Sequence, residues 1–390
     1  MRYDFDTIIN RKDTNSVKWD FYDCEVPMWV ADMDFKVATE IKDALSSKVN
    51  EGIYGYTLIP DEWYDAYINW WKKYGVVHKK EWLKFTNSVM PAISSLIREF
   101  TEENDKVLIQ TPVYHVFFYV IEDNNRMVEE NKLIYDGENY SIDFNDLEEK
   151  FKDPKVKLML LCNPHNPIGK IWTKDELKKI GELADKYDVI VISDEIHCDL
   201  TNPGLVYTPY ISASNKNRNN SITTLSPSKS FNIAGIKTAA ISIPNENIRE
   251  KAFNHIQIEG LSDPNLFACS AAIAAYNHGE DWLNQLRDYI YNNKLFLDEY
   301  LKEEIPDLKL VPSEATYLLW IDCSKLNIKS KEFNDFLLEK TKVVFSPGYE
   351  FGENGDQFIR INIACPRKLL EDGLKRLKRG VELYREEFNI

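Results

Sequence analysis

The 390-residue sequence has no CxxC pair, no apolar run of membrane-spanning length, no excess of positive charge, no internal repeat and no low-complexity tract. Each absence closes off a class of protein. Six scattered cysteines do not make a disulfide framework, and they point to a reducing compartment. The opening Met-Arg-Tyr-Asp-Phe-Asp lacks an apolar signal core, so a cytoplasmic location away from any membrane is expected. The sequon Asn219-Asn220-Ser221 then has no use as a glycosylation site. A net charge of −15 argues against non-specific binding to nucleic acid or to anionic lipid.

What the chain does hold is material for a large core. Hydrophobic residues make up 44% and charged residues 28%, and the length suits a two-domain enzyme. Its middle alternates strand-like and helix-like segments. Lys106 to Gln110, Lys157 to Cys162 and Val189 to Ser193 are short apolar runs of the kind buried on both faces of a parallel sheet. Between the last two, Thr173-Lys-Asp-Glu176 is a capping box. Leu177, Ile180, Leu183 and Ala184 then follow at helical spacing. Strand, helix, strand makes a βαβ unit, and ligands of such sheets bind beyond the carboxyl ends of the strands. Arg287 to Leu301 predicts a long helix leading to a second domain with strands at Ala315–Ile321 and Phe358–Ile363. Asn215 to Asn220 is expected to be a polar loop.

Three polar clusters fall at or after the predicted strands: Asn163-Pro-His-Asn-Pro-Ile-Gly169, Asp194-Glu-Ile-His197 and the run around Lys229. Lys229 sits among Ser226, Pro227, Ser228, Ser230 and Phe231, with no acidic neighbour in sequence. Such a lysine loses its proton more easily and can attack a carbonyl, although a solvated surface charge is an equal reading of it alone. Asp194 by itself reads as a solvated strand end. Beside a pyridine nitrogen, its carboxylate would keep the ring protonated and make it an electron sink. An amine, a carboxylate, an amide and small hydroxyls are the parts needed to hold an aldehyde cofactor, and they suggest pyridoxal phosphate.

Other readings of the same residues are weaker. Cys162, His165, His197 and Cys198 are zinc-ligand types, but their spacing is unlike common zinc motifs and adjacent strand residues point to opposite faces. No metal is therefore expected. Ser226-Pro-Ser-Lys229 matches the Ser-x-x-Lys of penicillin-recognising enzymes, but Lys237-Thr238-Ala239 follows too soon and lacks the required glycine. Phe85 to Ser94 reads as a loop entering a helix. Its free amides could bind phosphate or could simply be capped. Arg360, inside an apolar strand, could pair at a surface or clamp a substrate carboxylate with two parallel hydrogen bonds.

Taken together, these segments resemble the fold-type I pyridoxal-phosphate enzymes of the class I/II aminotransferase superfamily, and within it the MalY/PatB-type C–S lyase (cystathionine β-lyase) branch. The resemblance runs from about Asp4 to the C-terminus. It is carried by Ser16-Val-Lys-Trp-Asp20, Pro27-Met-Trp-Val-Ala-Asp-Met-Asp-Phe35, Gly52-Ile-Tyr-Gly-Tyr-Thr57, Thr111-Pro-Val-Tyr-His115, Cys162 to Gly169, Ser193 to His197, the Lys229 segment and Phe358-Ile-Arg-Ile-Asn362.

It implies an α/β aminotransferase-like fold. A large domain at residues 45–285 would have a mostly parallel seven-stranded sheet. An N-terminal arm and a smaller α+β domain would come from residues 1–44 and 286–390. It also implies roles for individual residues. Lys229 would carry the cofactor as a Schiff base, Asp194 would pair with the pyridine nitrogen and Tyr114 would stack on the ring. Asn166 would meet the ring hydroxyl, with His197 nearby. Ser226, Ser228, Ser88 and Val89 would hold the phosphate, helped by Tyr56 of a second subunit in a homodimer with shared sites. Arg360 would bind the substrate carboxylate, with Trp29, Val30, Ala31 and Asn166 on the substrate side.

Three departures from the wider aminotransferase pattern stand out. His197 replaces a common tyrosine, Ile168 replaces a common threonine, and Lys237 stands where many members have a phosphate-binding arginine. The first two favour the lyase branch. The expected reaction is an α,β-elimination on a sulfur-containing L-amino acid, with an aminotransferase and a regulatory or binding protein as alternatives.

Overall fold

In the computed structural model, residues 3–388 are described. The first two residues of the expected N-terminal arm and the last two of the expected small domain lie outside the described residues.

Seven strands laid edge to edge carry the polar clusters. In chain order they are β1 (Leu83–Thr86), β2 (Lys106–Ile109), β3 (Met127–Glu130), β4 (Val156–Cys162), β5 (Ile190–Asp194), β6 (Ser221–Leu225) and β7 (Ala239–Ser242). Their spatial order is β1-β7-β6-β5-β4-β2-β3, and only β7 runs antiparallel to its neighbours. The central strands are apolar on both faces because both faces are covered, as expected for parallel strands. The three strands predicted in this sheet each lie within one residue of their observed bounds.

Register fixes what the strand ends present. Cys162 of β4 lies opposite Asp194 of β5, and Asp194 lies opposite Thr224 of β6. Three polar side chains therefore stand in line at the carboxyl edge of the sheet.

Helix α1 (Val89–Phe100) follows β1, and α2 (Lys174–Lys186) joins β4 to β5. The capping box of α2 is present: the Thr173 hydroxyl accepts from the Glu176 amide, and Glu176 accepts from the Thr173 amide. The expected polar loop at Asn215–Asn220 is instead a short helix, α3 (Asn215–Asn219). Two local forces override its composition. Ser214 Oγ caps the Asn217 amide at 3.2 Å, and the buried Asn217 side chain donates to the Leu177 carbonyl of α2 at 2.8 Å.

The long predicted helix is α4, Glu280–Glu304, which begins seven residues earlier than its apolar pattern suggested. Beyond it lies a four-stranded antiparallel sheet of β8 (Lys309–Leu310), β9 (Leu318–Asp322), β10 (Ser346–Pro347) and β11 (Phe358–Asn362), in the order β8-β9-β11-β10. The strand expected from Ala315 starts at Leu318. The segment at residues 28–35 runs along this second sheet and faces the carboxyl edge of the first. Among the described residues no helix is long and apolar enough to cross a membrane.

Candidate active site

A cavity of about 300 Å³ opens at the carboxyl edge of the seven-stranded sheet. Ten of the residues expected to hold the cofactor or the substrate line it: Ala31, Ser88, Val89, Tyr114, Asn166, Asp194, His197, Ser226, Ser228 and Lys229.

The strand β5 ends in Asp194, and the pleat sends Asp194 and Glu195 to opposite sides. Asp194 Oδ1 accepts from Thr224 Oγ1 at 2.9 Å and from the Ile196 amide at 3.3 Å. Among the described residues no donor reaches Oδ2. Burial pushes this carboxyl up to about 6, with Thr224 and the Ile196 amide opposing the rise. Glu195 turns away from the cavity into a cage of donors, Ser193 Oγ, Tyr207 Oη and the Tyr210 amide, at 2.9–3.0 Å. His197 is buried on the cavity side, and burial drives its imidazole down to about 3, so the ring is neutral. Its Nδ1 has no hydrogen-bond partner among the described residues.

Lys229 lies in the turn that follows β6. Desolvation, and then the positive charge of Arg360, bring its ammonium down to about 8. Its Nζ donates to the Ala31 carbonyl at 2.7 Å. The sequence setting of Lys229 suggested an easily deprotonated amine, and the burial supplies the physical cause.

One end of the cavity is built for an anion. Ser88 precedes α1 in an extended conformation with no side-chain cap, so the amides of the first helical turn are open. Facing them are two hydroxyls. Ser226 Oγ lies 2.7 Å from Ser228 Oγ and 2.8 Å from the Thr238 carbonyl, and it accepts from the Ser228 amide at 3.1 Å. Lys237, in a left-handed conformation at φ 59°, also borders this end.

At the other end Arg360 of β11 stands behind Asn166, outside the cavity lining itself. Its Nη1 donates to Asn166 Oδ1 at 3.2 Å, and its Nη2 donates to the Trp29 carbonyl at 2.9 Å and to Ser346 Oγ at 3.0 Å. The guanidinium lies over the Phe351 ring at 4.8 Å. Burial lowers it to about 10, so it stays charged at neutral pH, and its Nε is buried with no hydrogen-bond partner among the described residues. The backbone of residues 29–32 is held from the same side. Asn362 Nδ2 donates at 2.6 Å to the carbonyls of Val30 and Asp32, and Tyr317 Oη donates to that of Ala31 at 3.1 Å. Trp29, Val30 and Ala31 thus enter the site through main-chain oxygens. Only Ala31 of the three lines the cavity itself.

Tyr114 lines the cavity, and burial raises its phenol to about 12, so it remains protonated. Tyr56 lies apart from the cavity. It is fully exposed and borders a separate groove with Gly235, Ile236, Leu266 and Phe267.

Sequence reasoning missed Thr224, Ser346 and Tyr317. Thr224 was findable only through the β5–β6 register, which sets it opposite Asp194. Ser346 and Tyr317 meet the site through tertiary packing and carry no local signal.

These side chains fit pyridoxal phosphate. A carboxyl that burial pushes up matches a pyridinium, an amine that desolvation brings down to about 8 matches an aldehyde, and open helix amides with two hydroxyls match a phosphate. The profile of the family Aminotransferase class I and II matches residues 30–377. Cystathionine beta-lyase PatB of Bacillus subtilis is 40% identical over 96% of this chain and 98% of that protein. Protein MalY of Escherichia coli is 34% identical over 98% of this chain and 100% of its own length. A PLP-bound C–S lyase from Staphylococcus hominis superimposes with a TM-score of 0.92 at 34% identity, covering 97% of this chain and 98% of that one. With the fold, the site chemistry and these likenesses in agreement, the chain belongs to the class I and II aminotransferase family, in the C–S lyase branch that holds these relatives.

Proposed function

We propose that this protein is a pyridoxal-phosphate-dependent C–S lyase that eliminates a thiol from cystathionine or another S-conjugate of L-cysteine, leaving pyruvate and ammonia. The observation that carries the reading is the spacing of two cations on one strap. Arg360 holds the Trp29 carbonyl and Lys229 holds the Ala31 carbonyl, two residues apart, with Asp194 at the end of β5 in the same cavity. An amino acid whose carboxylate meets Arg360 therefore brings its Cα toward Lys229.

When bound, pyridoxal phosphate supplies a protonated ring that takes up the electron pair left at Cα. The protein does the rest. Asp194, ionised, would keep the ring nitrogen protonated. Open amides of α1 with Ser88, Val89, Ser226 and Ser228 would hold the phosphate. Tyr114, Asn166 and neutral His197 would contact the ring. Arg360 fixes the substrate carboxylate. The Lys229 amine, in its neutral form, would remove the Cα proton. The Cα electron pair closes the Cα–Cβ double bond as the Cβ–S bond breaks and sulfur departs as thiolate. Water then converts the released enamine to pyruvate and ammonia.

The same reading takes the chain as a cytoplasmic homodimer, with Tyr56 reaching the phosphate of the partner site. It divides the chain into a cofactor-binding unit at 45–285 and a second unit at 1–44 and 286–390. The full exposure of Tyr56 and the six unpaired, buried cysteines support it.

The experiment incubates the purified holoenzyme with L-cystathionine or L-cysteine and no keto acid, and measures pyruvate together with thiol or sulfide. Release of both is expected. Failure of both, with conversion of an added keto acid to an amino acid, would establish the aminotransferase instead. In a Lys229→Ala protein the visible absorbance of the lysine-bound cofactor should vanish, and its persistence would show that another lysine is used.

A further inference from the structure

The turn that carries Lys229 is held from two sides by residues outside the cavity. Within the turn, the Phe231 amide donates to the Pro227 carbonyl at 2.9 Å and the Ile233 amide to the Ser228 carbonyl at 3.0 Å. On the strap side, Asn232 accepts from the Met33 amide at 3.0 Å and donates to the carbonyls of Met33 and Phe35 at 3.1 and 2.9 Å. On the sheet side, Ser230 Oγ donates to Asp199 Oδ2 at 2.8 Å. Ser230 and Asp199 are both buried, and neither lines the cavity.

Asp199 stands at the far end of the loop that leaves β5. The loop starts from Asp194 and runs through two turns, in which the Cys198 amide donates to the Glu195 carbonyl and the Leu200 amide to the His197 carbonyl, both at 3.0 Å. Asp199 Oδ1 accepts from Trp70 Nε1 at 2.9 Å and from Tyr74 Oη at 2.5 Å. Among the described residues its one ion pair is with Lys73, 3.5 Å away and partly exposed. A buried carboxylate is a costly way to fill space, and it is stable only when donors surround it. Three of these partners come from the end of the helix Asp61–Lys72, and the fourth is the neighbour of Lys229.

We propose that Asp199 is a positioning residue for the reaction: through Ser230 it fixes the turn of Lys229 against the loop of Asp194. The inference rests on the reading of Lys229 as the base at Cα, and it holds for elimination and transamination alike. Asp194 and Lys229 would meet the nitrogen and the aldehyde of one rigid cofactor, so their spacing has to be kept. Among the described residues, the Ser230–Asp199 bond is the one side-chain hydrogen bond that joins the two segments. Misplacing a reacting group by about 1 Å can cost on the order of 100-fold in rate.

Ser230→Ala tests this directly, because it leaves Asp199 with Trp70, Tyr74 and Lys73 and leaves the cavity lining intact. Apoprotein of the variant, mixed with pyridoxal phosphate, should develop the visible absorbance of the lysine-bound cofactor several-fold more slowly than the parent. The holoenzyme should exchange the Cα hydrogen of L-alanine for deuterium about tenfold more slowly, followed by proton NMR in D2O. That exchange needs Lys229 and no leaving group. Pyruvate release from L-cystathionine should lose about tenfold in kcat with KM nearly unchanged, because Arg360 keeps its partners. Ser230→Thr, which keeps the hydroxyl, should restore most of each rate. In an Asp199→Asn background, Ser230→Ala should cost less than in the parent, because the two residues act through one bond.

Parental rates of capture and exchange in Ser230→Ala, whatever its Tm, overturn the positioning role, and so does an equal cost in both backgrounds. Either result leaves the lyase intact. Exchange slowed as expected, with no pyruvate from the parent on L-cystathionine or L-cysteine, keeps the positioning role and removes the lyase. No exchange in the parent removes Lys229 as the base, and the positioning role with it.

Discussion

Lys229 Nζ and Tyr317 Oη donate to one oxygen, the Ala31 carbonyl, at 2.7 and 3.1 Å. Two donors on one acceptor weaken each other's hold. The lysine must be neutral to take the Cα proton.

A protonated Lys229 gains more from the Ala31 carbonyl than a neutral one does, so removing the competing donor favours the ammonium. Tyr317→Phe should therefore raise the Lys229 pKa from about 8. Because the base works in its neutral form, the rising limb of the kcat–pH profile should move to higher pH, by about half a unit to one unit. A merely structural role for Tyr317 would lower kcat at every pH and leave the limb in place.

Thr224 bears on the other end of the electron sink. Its hydroxyl donates to Asp194 Oδ1 and holds down a carboxyl that burial drives up to about 6. In Thr224→Val that carboxyl rises further. Asp194 pairs with the cofactor only when ionised, so affinity is lost as pH falls through its pKa. The loss should begin at higher pH in the variant. Fluorescence titration with pyridoxal phosphate should show Kd raised about tenfold near pH 6 and less at pH 8. An equal loss at both pH values would count against an electrostatic role for Thr224.

Arg360→Lys keeps the charge of β11 and removes its geometry. The guanidinium spans Asn166, Trp29 and Ser346 at once, with Nε still free for a ligand, and a single ammonium cannot reproduce that span. A fall of about 10- to 100-fold in kcat/KM is expected, mostly as a raised KM, because the carboxylate contact is made before the chemistry begins. A change confined to kcat would place the carboxylate elsewhere.

How far the sequence led depended on the range of the forces involved. The strands β2, β4 and β5 and the capped helix α2 were legible because apolar runs and a Thr-x-x-Glu cap act within a few residues. The short helix α3 was not legible, because its Asn-rich composition reads as coil until Asn217 is seen bonded to Leu177 of α2. Asp194 and Lys229 were identifiable from their neighbours in sequence. Their low-dielectric setting was only partly so, since it comes from strand register and from the strap at residues 29–32. Tyr317 is the clearest loss: it lies in a segment expected to be plain strand, and its function depends on a carbonyl 286 residues away.

The α2–α3 contact that escaped the sequence also gives the sharpest stability prediction. Gly181 of α2 faces the Asn217 side chain, and a Cβ built there would overlap its amide. Asn217 cannot swing aside without giving up its bond to the Leu177 carbonyl and leaving its own buried amide unpaired. Alanine would otherwise favour the helix by about 1 kcal/mol over glycine. Overlap with a fixed buried group costs about 1–3 kcal/mol, so Gly181→Ala should destabilise on balance and lower Tm by a few degrees. The double variant Gly181→Ala with Asn217→Ala should recover the part due to overlap. If instead the single variant melts higher than the parent, helix propensity outweighs the clash, and Asn217 is not the fixed post that its hydrogen bonds indicate.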